Sequence, residues 1–194
     1  MVSVLGIVGP IGSGKDTVTD YIAQKYGYAV FSFRDMIADM MKKEGIEPNR
    51  ENMQQFGRQI RDERGEDVFS LALLERIVSS KCEKALVKEL RTASDVKIIW
   101  SHFKSSMKII KVVAPTSIRF ERMRARQRTG DPKILKEFMQ QEKKEEDLGY
   151  TKAFNFADFV VFNTGSKEYL YDQVDKLMNS LNQRNILFRR RFLG

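Results

Sequence analysis

The chain opens on an apolar run at 2–8, interrupted only by Ser3 and Gly6, which has the length and character of a buried strand. The period then changes: Val18, Ile22 and Tyr26 recur every fourth residue and predict one face of a helix over 16–26. A second strand is predicted over 28–33. Helical patterns follow over 35–44, 51–64 and 68–81, separated by the turn residues Gly45, Pro48 and Gly65. The run 85–90 reads as a third strand, and Thr92 with Asp95 three residues later resembles a capping box opening a helix to Phe103. A fourth strand over 107–114 is stopped by Pro115. Helices are predicted over 118–128 and 133–147, broken by Gly130, Asp131 and Pro132. Residues 159–162 form the last strand, and Leu170, Val174, Leu177 and Leu181 make the apolar stripe of a closing helix. Strands alternating with helices predict an α/β fold, an open, mostly parallel sheet covered on both faces.

Composition narrows the class without choosing a function. A chain of 194 residues fits one domain with a sizeable core. No uncharged apolar run approaches the ~20 residues needed to cross a bilayer, and the first run meets Gly9 and Lys15 where a signal peptide would carry a small-residue cleavage site. The expected location is the cytoplasm, with no membrane partner. Cys82 is the sole cysteine, which excludes an internal disulfide and fits a reducing compartment. His102 is the sole histidine and has no Cys or His neighbour in sequence, so neither a zinc site nor a Ser-His-Asp mechanism is expected. The acidic stretch 142–147 contains lysines and reads as a solvated helix face. The net charge of +8 suits polyanions, whether nucleic acid, a membrane surface or nucleotide phosphates.

The segment G-P-I-G-S-G-K-D-T at 9–17 carries the chemistry. Gly9, Gly14 and Lys15 satisfy G-x-x-x-x-G-K between a predicted strand and a predicted helix. Glycines let backbone N–H groups turn inward and phosphate oxygens approach closely, while the following helix directs its positive end at the same place. The loop therefore reads as a triphosphate cradle, the alternative being a plain strand-to-helix turn, with Gly9, Gly12, Ser13, Gly14, Lys15, Asp16 and Thr17 as its candidate residues and Lys15 expected to reach the β and γ phosphates. Asp16 stands where most such loops place the Ser or Thr that holds Mg²⁺. Its carboxylate could hold the metal directly or through water, or serve as a helix N-terminal acid favoured by the dipole. Both readings stay open. In the later chain, Arg119, Arg122 and Arg126 recur at three and four residues and so share one helix face, with Arg124 and Arg128 on another.

G-K-D-T resembles the small nucleotide kinases, and the likeness continues along nearly the whole chain. F-S-F-R-D at 31–35 is similar to the segment bordering the acceptor site of nucleoside monophosphate kinases. The stretch 49–58 with Arg61 and G-E-D at 65–67 resembles the acceptor-binding helices of deoxynucleotide and dephospho-coenzyme A kinases. Residues 119–132 resemble an arginine-bearing lid, and 157–166 the last strand and adenine-side loop, as in a set of archaeal kinase-like proteins. This resemblance implies Arg122 and Arg126 as catalytic lid residues, with Arg128 next, and Asn163 and Gly165 beside the nucleotide. On the acceptor side it implies Asp35, Arg50, Gln55, Arg58, Arg61 and Arg91. One departure stands out. Relatives end the third strand in an acid followed by Gly, a hydrophobic residue and Arg, whereas this chain has Lys88 at the acid's place, Glu89 one later, then Leu90 and Arg91. Within a strand that offset would send Glu89 to the opposite face, leaving Asp16 or Asp35 to take the acid's role or weakening the activity.

The expectation is a P-loop kinase fold, a three-layer sandwich around five parallel strands. Residues 1–183 would form one domain, with an acceptor-binding insertion near 35–82 and a lid near 119–147, and 184–194 a basic tail. The expected function is Mg-ATP-dependent phosphoryl transfer to a small phosphate-bearing acceptor, a nucleoside or deoxynucleoside monophosphate first, dephospho-coenzyme A next. The other classes open to the sequence are a nucleotide-binding regulatory protein with a degraded site, and a nucleic-acid-associated protein bound electrostatically. Neither the acceptor nor the oligomeric state is fixed by the sequence.

Overall fold

The computed structural model describes residues 2–128 and 130–192, with the side chains of 50, 51 and 183–192 outside the description. The described residues include five strands: β1 (Ser3–Val8), β2 (Ala29–Ser32), β3 (Lys84–Lys88), β4 (Met107–Val113) and β5 (Phe159–Phe162). They form one parallel sheet in the order β2-β3-β1-β4-β5. The helices are α1 (Lys15–Tyr26), α2 (Phe33–Lys43), α3 (Arg50–Arg64), α4 (Val68–Ser79), α5 (Ala93–Phe103), α6 (Thr116–Arg126), α7 (Leu135–Asp147) and α8 (Lys167–Phe192). Short 3-10 turns at Lys104–Ser106 and Lys152–Phe156 have no counterpart in the hydrophobic pattern.

Alternation along the strands divides the core in two. Val4 and Val8 of β1, with Ala85 and Val87 of β3, face a cluster built on Met36, Phe56, Ile60, Phe69, Leu73 and Ile99 from α2 to α5. Leu5, Ile7 and Leu86 face the other way, against Val18 and Ile22 of α1 and Leu170 and Val174 of α8. Strands buried on both faces read as unbroken apolar runs, the signal that identified them. Each fully buried Leu or Ile contributes roughly 1.5–3 kcal/mol relative to exposure. Opposite α1, Asp175 of α8 accepts from Tyr21 Oη at 2.9 Å, Tyr26 Oη at 2.7 Å and Lys25 Nζ at 2.8 Å, while Tyr21 and Tyr171 stack at 3.9 Å. This fixes α8 across α1.

Element ends depart from the pattern in three informative places. The third strand stops at Lys88 instead of reaching Leu90, because Glu89 adopts φ +70° and turns the chain out of the sheet. Helix α6 ends at Arg126, where Gln127 enters the left-handed region at φ +48°, so Arg128 is not helical. The closing helix continues to Phe192, through most of the stretch read as a tail. The capping box at Thr92 and Asp95 is present, with the Thr92 hydroxyl accepting from Asp95 N–H and the Asp95 carboxylate accepting from Thr92 N–H. At the sheet edge, Gln173 of α8 accepts from Phe162 N–H at 3.0 Å and donates to the Phe162 carbonyl at 2.8 Å. Among the described residues, no helix is long and apolar enough to cross a membrane.

Candidate functional site

The site is built where β1 runs into α1, between the C-terminal ends of β3 and β4. Switch points of this kind, where neighbouring connections leave on opposite faces, are where open α/β sheets bind ligands. The first bond of the α1 ladder is Val18 N–H to the Gly14 carbonyl at 3.2 Å, so the N–H groups of Lys15, Asp16 and Thr17 lie ahead of the ladder and face the loop's concavity. Gly14 caps the helix at φ +91°, and a Cβ there would stand 2.1 Å from Asn163 Nδ2. At Gly12, φ is +71° and a Cβ would stand 2.6 Å from the Arg119 carbonyl. Both positions combine a left-handed backbone with contact against another element.

Lys15 bends back over its own loop, donating to the Gly9 carbonyl at 2.7 Å and the Pro10 carbonyl at 2.9 Å. Burial pushes its pKa down to about 8, opposed by the charges of Glu145, Asp16 and Glu89 and reinforced by Arg91. Ser13 is placed differently from its neighbours. Its hydroxyl is buried, its N–H donates to the Pro10 carbonyl at 3.3 Å, and its carbonyl accepts from Asn163 Nδ2 at 2.8 Å. It shapes the cradle from within.

The arginines at and after α6 divide by their contacts. Arg122 donates through Nη2 to the Asn163 side-chain oxygen at 2.9 Å and to its carbonyl at 3.1 Å, while its buried Nη1 has no hydrogen-bond partner. Asn163 thus bridges the P-loop and Arg122 from a buried position. Gly165 lies in the following turn, where a Cβ would touch Tyr169 at 3.6 Å. Arg126 makes a two-point pair with Asp131, at 2.6 Å and 2.7 Å, which raises its pKa and lowers that of Asp131; the Asp16 charge also acts on Arg126. Arg128 contributes its N–H to Asp131 at 3.3 Å.

Arg119 shares the face of Arg122 and Arg126 by its spacing but was given no site role, and it proves to be heavily engaged. It is 6% exposed and donates to the Ala114 carbonyl at 2.9 Å, to the Ile11 carbonyl of the P-loop at 3.2 Å and to Thr116 Oγ1 at 2.9 Å. It also pairs with Glu142 of α7 and lies over the Phe138 ring. The acidic stretch 142–147 is therefore not merely a solvated face: Glu142 pairs with the arginine that reaches the P-loop, and the Glu145 charge acts on Lys15. Acids spaced for a helix surface gave no signal of this, because the partner arginine is 23 residues away.

At the end of β3, Lys88 and Glu89 diverge. Lys88 alternates with Leu86 and so lies on the α1 side, with Nζ 4.0 Å from Asp16 Oδ1. Glu89 does not continue the strand onto the opposite face. Its positive φ lets the carboxylate accept from Ser32 Oγ at 2.9 Å and Arg34 N–H at 2.9 Å, at the start of α2. Asp35 is exposed in that same first turn, its N–H donating to Ser32 Oγ at 3.0 Å. Arg91 stacks 5.0 Å from the Tyr150 ring.

A magnesium ion beside phosphates needs carboxylate or hydroxyl oxygens free to face it. Here Glu89 is held toward α2 through Oε2, and Asp16 faces the Lys88 ammonium. A divalent ion on Asp16 would stand within about 6 Å of that ammonium, a repulsion between about 1 kcal/mol in water-like dielectric and about 5 kcal/mol at an effective constant of 20. Among the described residues no three His, Cys, Asp or Glu side chains gather to offset it. The donor set does not fit a protein-held divalent ion at Asp16.

Of the residues expected on the acceptor side, Arg50, Gln55, Arg58 and Arg61 are spread along α3. Gln55 and Arg58 lie on its exposed face beside Gln54, Gln59 and Asp62. Arg61 turns inward, donating to the Gly57 carbonyl at 3.3 Å, lying 4.9 Å from the Phe69 ring and pairing with Glu66 at 3.8 Å. The Arg50 side chain lies outside the described residues. The structure thus gathers Lys15, Asp16, Glu89 and Arg91, with Arg122 and Arg126 on the lid side, and leaves Gln55 and Arg58 facing outward.

The family described as "AAA domain" matches residues 8–140 of this chain. A UPF0200 protein of Hyperthermus butylicus is 30% identical over 178 residues, covering 92% of this chain and 94% of that protein. The UPF0200/UPF0201 protein of Archaeoglobus fulgidus is 27% identical over 180 residues; the chain spans 55% of its length. Among solved structures, a shikimate kinase from Acinetobacter baumannii in complex with shikimate superposes with a TM-score of 0.56 at 16% identity, over 95% of each chain. That likeness is one of fold.

Proposed function

This chain belongs to the AAA-domain family and to the UPF0200 proteins and has the fold of a P-loop kinase; from that premise we propose that it transfers the γ-phosphoryl group of ATP to a small phosphate-bearing acceptor. A nucleoside or deoxynucleoside monophosphate is the first choice of acceptor and dephospho-coenzyme A the second. The observation that carries the reading is the cradle itself: helix N–H groups, a half-buried lysine resting on loop carbonyls, and an arginine whose buried Nη1 is unpartnered.

In this reading the γ-phosphorus–oxygen bond to the β phosphate breaks as a bond to an acceptor oxygen forms, and ADP leaves. Charge spreads over the transferred oxygens, so catalysis rests on positioning and neutralisation. Lys15 exchanges the Gly9 and Pro10 carbonyls for β and γ oxygens. Arg122, aimed by Asn163, offers Nη1. Arg126 exchanges Asp131 for the transferred group, and Arg91 and Asp35 border the acceptor. We place the reaction in the cytoplasm.

The test is ADP release from ATP, with magnesium present, against ribo- and deoxynucleoside monophosphates and dephospho-coenzyme A, with Lys15→Ala as the blank. Turnover that depends on one acceptor and vanishes in the blank supports the reading. ATP binding with no acceptor-dependent turnover across the panel rejects this acceptor class and favours a nucleotide-binding regulatory role.

A further inference from the structure

Two carboxylates and two ammonium groups meet at the mouth of the P-loop, and their pairing is unusual for a site expected to recruit a metal. One oxygen of Glu89, Oε2, accepts from both the Ser32 hydroxyl and the Arg34 N–H, which holds the carboxylate toward the start of α2. Asp16, in the first turn of α1, has its Oδ1 4.0 Å from Lys88 Nζ. The Lys88 side chain is only 25% exposed, whereas that of Asp16 is 62% exposed. The ammonium is thus held by its stem against the α1 side of the sheet, while the carboxylate is free to swing into solvent. Register fixes the base of that stem: Lys88 pairs with Ile7 of β1, one residue before the strand's end and the loop beyond it. Lys15 approaches the same helix N-terminus from within the loop.

We propose that Lys88 is a built-in counter-cation for the β and γ phosphates, paired with Asp16 until nucleotide arrives, so that this chain binds ATP with little dependence on magnesium. The inference deepens the reading of the site as an ATP cradle and rests on it. A triphosphate carries about four negative charges; Lys15 and the helix terminus neutralise only part of them at the loop, with Arg122 and Arg126 reserved in this reading for the transferred group. A second fixed ammonium supplies what a divalent ion otherwise would. Asp16 then acts as a competitor for Lys88: it keeps the ammonium paired in the free protein and releases it to phosphate oxygens on binding. Departure of the Asp16 carboxylate costs little, because it is solvated already.

The experiment is equilibrium binding of ATP by calorimetry in excess EDTA and in excess magnesium, for the unaltered chain and for Lys88→Met, Lys88→Asp, Asp16→Asn and Lys15→Ala. The unaltered chain should show Kd values within about threefold in the two media, and Lys88→Met should weaken binding about tenfold or more in EDTA and less in magnesium. Lys88→Asp should make binding magnesium-dependent by about thirtyfold or more, while Asp16→Asn should tighten binding in EDTA by about threefold. Binding that Lys15→Ala abolishes, yet that collapses in EDTA for the unaltered chain and keeps the same EDTA-to-magnesium ratio in Lys88→Met, overturns the proposal and leaves the ATP-cradle reading standing. If the unaltered chain binds no ATP in either medium, that reading falls and the proposal with it.

Discussion

The depressed pKa of Lys15 makes nucleotide binding a proton-linked event, with a sign that follows from the structure. In the free protein the Lys15 ammonium rests on two neutral carbonyls, and burial lowers its pKa from 10.5 to about 8. A shift of this size corresponds to about 3 kcal/mol between the two protonation states. A triphosphate provides the opposite charge that the carbonyls lack and returns the pKa to its ordinary range or above. Below about pH 8 the lysine is charged whether or not nucleotide is bound, and affinity is flat. Above it the free protein sheds the proton that the complex retains, so ATP affinity falls about tenfold per pH unit until about pH 10.5. At pH 8.5 each binding event should take up about three quarters of a proton. Calorimetric titration in buffers of low and high ionisation enthalpy reads this directly, as the slope of observed enthalpy against buffer enthalpy. A slope of zero at pH 8.5 would refute the argument, because it requires a lysine fully charged in the free cradle. The ligand-free protein should also gain stability between about pH 8 and 10.5, where the unfolded chain holds more protons than the folded one.

Further predictions follow from individual contacts. Glu142→Gln leaves the buried Arg119 guanidinium without its charge partner and should cost about 3 kcal/mol, lowering the melting temperature by roughly 6–12 °C in a scanning calorimeter. An unchanged melting temperature would show that the lid is not tied down by this pair. Gly14→Ala places a Cβ against Asn163 Nδ2 in a left-handed backbone, and should weaken ATP binding about tenfold or more while the chain still folds by circular dichroism. Arg122→Ala and Arg126→Ala should each cut kcat by about a hundredfold with ATP affinity changed less than about threefold; equal losses in both would argue against a transition-state role.

Much of the architecture was legible because its signal is local. The β1 run, the four-residue spacing on α1 and the Thr92–Asp95 box each depend on neighbours within a turn or a strand, and each is where the pattern put it. The site was less legible wherever a side chain answers to a distant residue. Arg119 and Glu142 lie on different helices, each with its own surface-like spacing, and only the fold brings them together. The offset acid was misread for a different reason: alternation was carried through Glu89, where a positive φ ends the strand and redirects the carboxylate to Ser32. Asn163 was legible as a site residue, but its service to both Ser13 and Arg122 depends on the junction of β5 with the P-loop.

The amide of Gln173 has a consequence for what the protein can assemble into. Strand β5 is the last of the sheet, and Val160 and Phe162 leave it half exposed and apolar, the composition that invites a strand from another chain. By engaging both the N–H and the carbonyl of Phe162, Gln173 imitates one rung of a missing neighbour. An incoming strand would have to displace a two-point partner delivered from the protein's own helix, already in place at no cost in translational freedom. At Phe162, the last residue of the fifth strand, the outward N–H and carbonyl are already held from within the chain, so at this rung a strand from a second copy meets an occupied position.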